Sequence, residues 1–170
     1  MTSVAAGDDV QFRPALFLSS VMQIEPAWID YNGHLRDAYY GLVASYAVDD
    51  VMDYLGLDAA YRARTHCTLY TLEEHIHFLH EVKSTDDLQV VSSVFDFDRK
   101  RIHLGCRFLC SRVNEPVATA DMMLLHVHQG DKPGAASFPD EVSARLAALK
   151  TPEAREAFGP SSRKIELQRR

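Results

Sequence analysis

A carboxylate, an amide and an imidazole lie within five residues of this chain, at Asp30, Asn32 and His34. Gly33 inside this run favours a tight turn, and the segment from Ala38 to Leu55 is predicted to form a helix. These polar groups should therefore gather at a helix N-terminus, which favours developing negative charge. A base beside backbone N–H donors is what the addition of water to an acyl carbonyl requires. The spacing therefore favours thioester hydrolysis.

Each residue of this motif has a predicted catalytic role and a structural alternative. Asp30 would act as general base on a water or attack the thioester directly, and these two routes stay open. Its alternative is a turn or capping aspartate. Asn32 would orient the water or the carboxylate. His34 would donate a hydrogen bond, or would only brace the loop.

The composition indicates one compact domain that binds a small molecule. The chain has 170 residues, of which 46% are hydrophobic, and this suffices for one sizeable core. The net charge of -6 argues against nucleic acids and anionic membranes as partners. Three cysteines without a CxxC pair predict a reducing, cytoplasmic setting. The chain has no apolar run near the roughly 20 residues of a membrane span, so we expect a soluble protein.

We expect three parts along the chain: a flexible arm over residues 1–14, a single domain over residues 15–150 and a tail over residues 151–170. The tail is charged and poor in apolar residues, so it should pack lightly. Inside the domain, residues 19–25 form a short strand candidate that Pro26 ends before the motif.

The predicted central helix has start, packing and stop signals. Asp37 is placed as its N-cap, and Gly56 provides the stop. Small residues on one side of it should allow close packing on a sheet: Gly41, Ala44, Ser45 and Val48. A charged linker over Asp58 to Thr65 should then lead to the second half.

The second half is rich in β-branched and aromatic residues and predicts a meander. Short turn-forming breaks separate four strand candidates, which suits antiparallel neighbours: Thr68 to Leu79, Leu88 to Phe97, Arg101 to Arg112, and Pro116 to His128. The breaks are residues 84–87, 96–100 and 113–115. Phe138 to Leu149 reads as a C-terminal helix. With the first strand, this predicts an α+β fold in which a five-stranded antiparallel sheet wraps around a long helix.

From about Ser19 to His128, this pattern resembles the hotdog-fold acyl-CoA thioesterases of the 4-hydroxybenzoyl-CoA thioesterase-like superfamily. The family's catalytic aspartate falls on Asp30, and Tyr39 fills an aromatic position after the motif. The resemblance implies a hotdog fold, no cofactor beyond the coenzyme A of the substrate, and a homodimer or dimer of dimers. The family often continues with Val-Asn-Asn, where this chain has Leu35, Arg36 and Asp37, so Arg36 is predicted to meet an anionic ligand.

A narrower resemblance is to the betainyl-CoA thioesterases of bacterial carnitine degradation. Four segments carry it: Trp28 to His34, Thr71 to Ile76, Lys100 to Leu104, and Met123 to Val127. It implies hydrolysis of betainyl-CoA to betaine and free CoA. In some bacteria that domain is fused to carnitine dehydrogenase, and here we expect the free-standing form.

The chemistry of a quaternary ammonium substrate fits the aromatic content of this region. Aromatic faces and carboxylates hold such cations, and Trp28, Tyr31 and Tyr39 are the predicted cage residues, beside Gly33 in the motif. Their structural alternative is packing in the core or a dimer interface. Glu73, on a strand that should line the helix, is a second candidate carboxylate and a predicted partner of the cation.

Two other polar groups receive mainly structural interpretations. The histidines at 75, 77, 80, 126 and 128 have metal-like spacing but no strong third-ligand signature, so no metal is predicted. Residues 99–101 form a basic run, read as a solvated turn or as a contact to coenzyme A phosphates.

Because a fold alone does not fix function, three alternatives stay open. They are a thioesterase for other short or medium acyl-CoAs, a dehydratase-type enzyme, and a module that binds acyl thioesters without turnover.

Overall fold

The computed structural model describes residues 16–152 and Arg155. The predicted arm over residues 1–14 and nearly all of the predicted tail lie outside these residues. The described part follows the predicted α+β plan, with one long helix against a curled antiparallel sheet. Its elements in chain order are β1 Leu16–Leu18, β2 Met22–Gln23, a 3-10 turn Pro26–Trp28, α1 Asp37–Leu55, α2 Ala59–Thr65, β3 Cys67–Phe78, β4 Asp87–Phe97, β5 Arg101–Cys110, β6 Val113–His128, β7 Gly134–Ala135 and α3 Asp140–Leu149.

The sheet has the strand order β1-β4-β5-β6-β3, with β2 paired to β4 and β7 to β6. Every strand pair is antiparallel. The prediction of a four-strand meander is confirmed for β4, β5 and β6 and is wrong for β3, which pairs with β6 at the far side of the sheet and not with β4. The fold is the expected hotdog fold. The short β2 and β7 lie off the main path, and β3 forms one edge of it.

The central helix confirms its predicted packing but begins differently. Its N-cap is Arg36, and Asp37 is the first helical residue, whose carboxylate accepts from the Ala38 N–H at 2.9 Å. The Asp37 cap prediction is therefore wrong by one residue. Gly56 ends the helix in the left-handed conformation, with φ +81°, as expected. Small and branched side chains make its sheet face, while Ser45 is exposed. The buried members of that face are Val43, Ala44, Ala47, Val48 and Val51.

Four further assignments differ from prediction. Two short strands, β1 and β2, replace the single strand expected over residues 19–25. The predicted linker over residues 58–65 contains helix α2, because the Asp58 side chain caps it by accepting from the Tyr61 N–H at 2.8 Å. Strand β6 starts at Val113, within the predicted break, and α3 starts at Asp140.

The core fills the space between α1 and the concave face of the sheet, and α3 closes it with Val142, Leu146 and Leu149. Among the described residues, no helix is long and apolar enough to cross a membrane. The three cysteines, Cys67, Cys106 and Cys110, are free and buried.

Candidate functional site

The motif folds as a tight turn whose centre is Asp30. The Asp30 N–H donates to the His34 carbonyl at 2.8 Å, and the Gly33 N–H donates to the Asp30 carbonyl at 3.1 Å. Gly33 has φ +83°, a conformation that favours glycine. The predicted turn is therefore present, with glycine at the position that requires it.

The Asp30 carboxylate supports this turn through one oxygen. Oδ1 accepts from the N–H groups of Asn32 at 2.8 Å and His34 at 3.1 Å. Oδ2 accepts a longer bond from Asn32 Nδ2 at 3.5 Å. These bonds, first that from the His34 N–H, hold the pKa of Asp30 below its usual value. The carboxylate is thus ionised at neutral pH, and Oδ2 is the less occupied oxygen.

Backbone pairing attaches this turn to the segment that follows β3. The Leu35 N–H donates to the Val82 carbonyl at 2.7 Å, and His34 forms an isolated bridge with Lys83. The Arg36 N–H donates to the Trp28 carbonyl at 2.9 Å. These bonds fix Asp30 relative to both the start of α1 and the end of β3.

A cavity of about 550 Å³ opens where these three elements meet. The motif and the start of α1 form one wall, and the segment after β3 forms the other. The first wall comprises Asp30, Tyr31, His34, Leu35, Arg36, Asp37 and Tyr40, and the second comprises residues 78–82. The cavity size suits a small ligand group. In the first turn of α1, the Ala38 N–H donates to the Asp37 carboxylate at 2.9 Å and the Tyr39 N–H to the Arg36 carbonyl at 3.0 Å. The positive end of the helix dipole still favours an anion here.

His34 and Glu81 form an ion pair on the cavity wall. His34 Nε2 lies 3.0 Å from Glu81 Oε2, and both residues line the cavity. A carboxylate in this position accepts a hydrogen bond from the imidazole and orients the ring. Sequence reasoning missed Glu81, because no local motif marks it and the contact depends on the pairing of residues 35 and 82.

The predicted aromatic cage is not assembled in this chain. Trp28 is buried and stacks on Tyr39, with ring centroids 5.3 Å apart and an interplanar angle of 17°. Tyr31 lines the cavity but is 93% exposed. The rings that wall the cavity are instead Tyr40 and Phe78, which pack edge to face at 5.1 Å.

Glu73 is predicted to lie on the face of β3 that lines the helix, but in the structure Glu74 has that position. The pairing of β3 with β6 shifts register between Thr71 and Glu73, which is a β-bulge. Glu73 is exposed and does not line the cavity, whereas Glu74 lies against α1 beside Gly41. Burial raises the pKa of the Glu74 carboxyl. Glu73 therefore does not face α1 within this chain.

The histidine-rich segments show structural contacts. His80 pairs with Glu115 at 3.4 Å, and His126 lies between the Tyr61 hydroxyl and the Ala136 carbonyl, each at 3.0 Å. Among the described residues, no group of three or more potential ligands is placed to hold a metal.

The basic residues differ in their availability to a ligand. Arg101 pairs with Asp98 of its own turn at 2.6 Å, and Arg99 contacts Ser137 of a distant segment, so two members of the basic run have partners within the chain. Arg36 lines the cavity, is exposed and forms no ion pair with the described residues. It is therefore the cation placed to meet an anionic ligand.

Sequence comparisons link the chain to thioesterases. The family model of the thioesterase-like superfamily matches residues 24–146. A betainyl-CoA thioesterase from Pseudomonas aeruginosa is 45% identical over 124 residues, which cover 73% of this chain and 77% of that protein. An L-carnitine dehydrogenase/betainyl-CoA thioesterase from Agrobacterium fabrum is 41% identical over 104 residues, 61% of this chain. The chain spans only 21% of that fused protein's length.

Two solved structures share the fold of this chain, and one of them was solved with a bound ligand. A proposed thioesterase from Pseudomonas putida is 38% identical, with a TM-score of 0.71 and coverage of 90% of this chain and 97% of that chain. A hypothetical protein from Staphylococcus aureus, solved in complex with CoA, is 26% identical, with a TM-score of 0.73 and coverage of 90% and 96%.

Proposed function

Because the chain belongs to the thioesterase-like superfamily, we propose that it hydrolyses betainyl-CoA to betaine and free CoA in carnitine degradation. The chain is a thioester hydrolase. One observation carries the proposal for the site: the ionised Asp30 lines a cavity at the N-terminus of α1. The substrate proposal is supported by the 45% identity to a betainyl-CoA thioesterase.

In the proposed reaction, Oδ2 of Asp30 attacks the thioester carbonyl carbon. The carbonyl oxygen becomes an oxyanion, and collapse of the intermediate breaks the C–S bond and releases the CoA thiolate. Water then adds to the resulting anhydride and breaks its bond to Asp30. One proton of the water passes to the thiolate, the other is released to solvent, and betaine and Asp30 leave the step as carboxylates. The geometry supports this route, because Asp30 lines the cavity and its Oδ2 has only the 3.5 Å bond from Asn32.

The first turn of α1 supplies the proposed oxyanion site. Arg36, Asp37 and Tyr40 place this turn on the cavity wall. The positive end of the α1 dipole there stabilises the negative charge that develops on the carbonyl oxygen. Asn32, which contacts Asp30 Oδ2, holds the carboxylate in position for attack.

His34 and Glu81 have a supporting role in the proposal. His34 donates a hydrogen bond to the departing sulfur or to the attacking water, and Glu81 at 3.0 Å stabilises the charged imidazole during that step. Arg36 contacts a phosphate of coenzyme A at the mouth of the cavity.

We further propose that the protein acts in the cytoplasm as a homodimer that pairs through the edge strand β3. The free cysteines fit a reducing compartment. Strand β3 and the residue after it expose Tyr70, Leu72, Phe78 and Leu79, each 47–54% exposed in the single chain. An exposed apolar edge is a template for pairing with a second copy. In such a dimer Glu73 reaches toward the partner.

Thiol release from betainyl-CoA, acetyl-CoA and a medium-chain acyl-CoA tests the proposed substrate. We expect betainyl-CoA to have the highest kcat/KM. Equal or faster hydrolysis of the uncharged acyl groups would keep the thioesterase and reject betainyl-CoA. No thiol release from any of the three would contradict the proposed reaction.

A further inference from the structure

Glu74 is a half-buried acid that the proposed reaction does not use. Its Oε1 is shielded from solvent and has no hydrogen-bond partner among the described residues. It also forms no ion pair with those residues. Burying an unpaired carboxyl is costly unless a ligand compensates for it. The fold of the single chain thus leaves this group available for a cationic ligand.

The Glu74 carboxyl lies in the cleft between α1 and β3. A Cβ added to Gly41 would lie 3.5 Å from Oε2, so the carboxyl packs where the helix has no side chain. Tyr40 precedes Gly41 in α1, and Phe78 lies on the same face of β3 as Glu74. Both of these rings line the Asp30 cavity. Glu74 therefore lies behind its aromatic wall.

Aromatic rings backed by a carboxylate are suited to a quaternary ammonium group. Such a group donates no hydrogen bond, so its recognition depends on charge and on ring faces. We propose that Glu74 is the specificity-determining carboxylate for a cationic acyl group, which binds on the cavity side of the Tyr40 and Phe78 rings while Glu74 adds negative charge from behind them. This inference rests on the proposed betainyl-CoA hydrolysis and assigns the charge recognition to one side chain.

The location of Glu74 distinguishes it from other acids near aromatic rings. Glu25 and Asp50 share a smaller cavity of about 310 Å³ with Trp28 and Tyr46, but that cavity shares no lining residue with the Asp30 cavity. The acyl part of betainyl-CoA has one carbon between the ammonium and the carbonyl. The ammonium must therefore bind close to the carbonyl, inside the Asp30 cavity. Glu74 does not line that cavity, but it packs against Gly41, which follows the lining residue Tyr40 in α1.

A pair of substrates with equal shape and different charge tests this inference. Betainyl-CoA and the neutral tert-butylacetyl-CoA differ by one nitrogen in place of one carbon. In Glu74→Gln, we expect the ratio of their kcat/KM values to fall by about 10- to 100-fold, mainly through KM for betainyl-CoA. The neutral substrate should be hydrolysed as well as or better than by the wild type. A purely structural role of Glu74 would lower kcat/KM for both substrates by the same factor.

Two further variants control for charge and for folding. Asp50→Asn removes a carboxylate from the same helix and should leave the ratio unchanged. Gly41→Ala keeps the carboxyl but adds a methyl group 3.5 Å from it, and it should lower betainyl-CoA hydrolysis without unfolding the helix. An unchanged ratio in Glu74→Gln would overturn this inference while leaving the proposed function intact. A wild type that prefers the neutral substrate would overturn both this inference and the proposed substrate.

Discussion

Two aspartates in neighbouring turns have similar chemistry and opposite surroundings. The turn of Asp30 and the turn of Asp86 meet at Lys83, which bridges His34 and whose N–H donates to Asp86 Oδ2 at 2.8 Å. Hydrogen bonds lower the pKa of both carboxyls, from the His34 N–H at Asp30 and from the Arg112 side chain at Asp86.

The two carboxylates differ in whether one oxygen remains available to a ligand. Both oxygens of Asp86 accept from Arg112, at 2.9–3.1 Å, and the residue is 4% exposed. Asp30 instead faces a cavity and keeps Oδ2 nearly free. A lowered pKa alone therefore does not identify a catalytic carboxylate. An ionised oxygen with access to a cavity is the more informative feature.

The largest effect is expected for Asp30→Asn. The amide oxygen can still accept the turn bonds, but the side chain can no longer attack or take a proton. We expect kcat/KM for betainyl-CoA to fall by at least about 1,000-fold, measured by thiol release. The thermal midpoint should change little. If the variant retained more than a tenth of the activity, Asp30 would be a turn residue only.

For Asp86→Asn we expect a loss of stability with little loss of activity. The substitution removes the charge from a buried side chain that accepts bonds from Arg112, while the exposed Arg112 guanidinium keeps its bond to the Glu81 carbonyl. The free energy of unfolding should therefore fall by about 1–3 kcal/mol. Urea denaturation measures this loss. At temperatures where the variant is folded, its kcat/KM should stay within about threefold of the wild type, since Asp86 does not line the cavity. A large loss of activity with unchanged stability would reverse the comparison.

The pH dependence of the free energy of unfolding follows from the lowered pKa of Asp86. The pKa of Asp86 is lower in the folded state than its unfolded value of about 3.9. The contribution of Asp86 to the free energy of unfolding is therefore complete above about pH 3.9. It is lost as the pH falls through the folded pKa. The wild type should therefore lose stability more steeply below about pH 4 than Asp86→Asn does. Parallel curves in acid urea titrations would contradict this assignment.

The sequence predicts those features that local patterns determine. The glycine in the motif and the spacing of its polar residues predict the Asp30 turn. The strand-like runs predict the four long strands, but they do not show that β3 pairs with β6 instead of β4. The cap at Asp58 is a local signal for helix α2, although charge content alone indicates a linker. The partner of His34 was not detectable, because Glu81 approaches it through pairing between distant segments. The bulge after Thr71 changes which glutamate faces the helix, and strand alternation alone contains no signal for it.

The smallest effect in this comparison is expected for Gly33→Ala, which tests how far the Asp30 turn depends on its glycine. An added Cβ meets nothing within 4 Å, so the cost comes only from the backbone at φ +83°. This strain should lower the free energy of unfolding by about 1–2 kcal/mol and reduce kcat/KM severalfold as the turn relaxes. Gly134→Ala is the matched control, because its added Cβ also meets nothing and its φ is not positive. Equal effects of the two substitutions would show that the strained turn does not position Asp30.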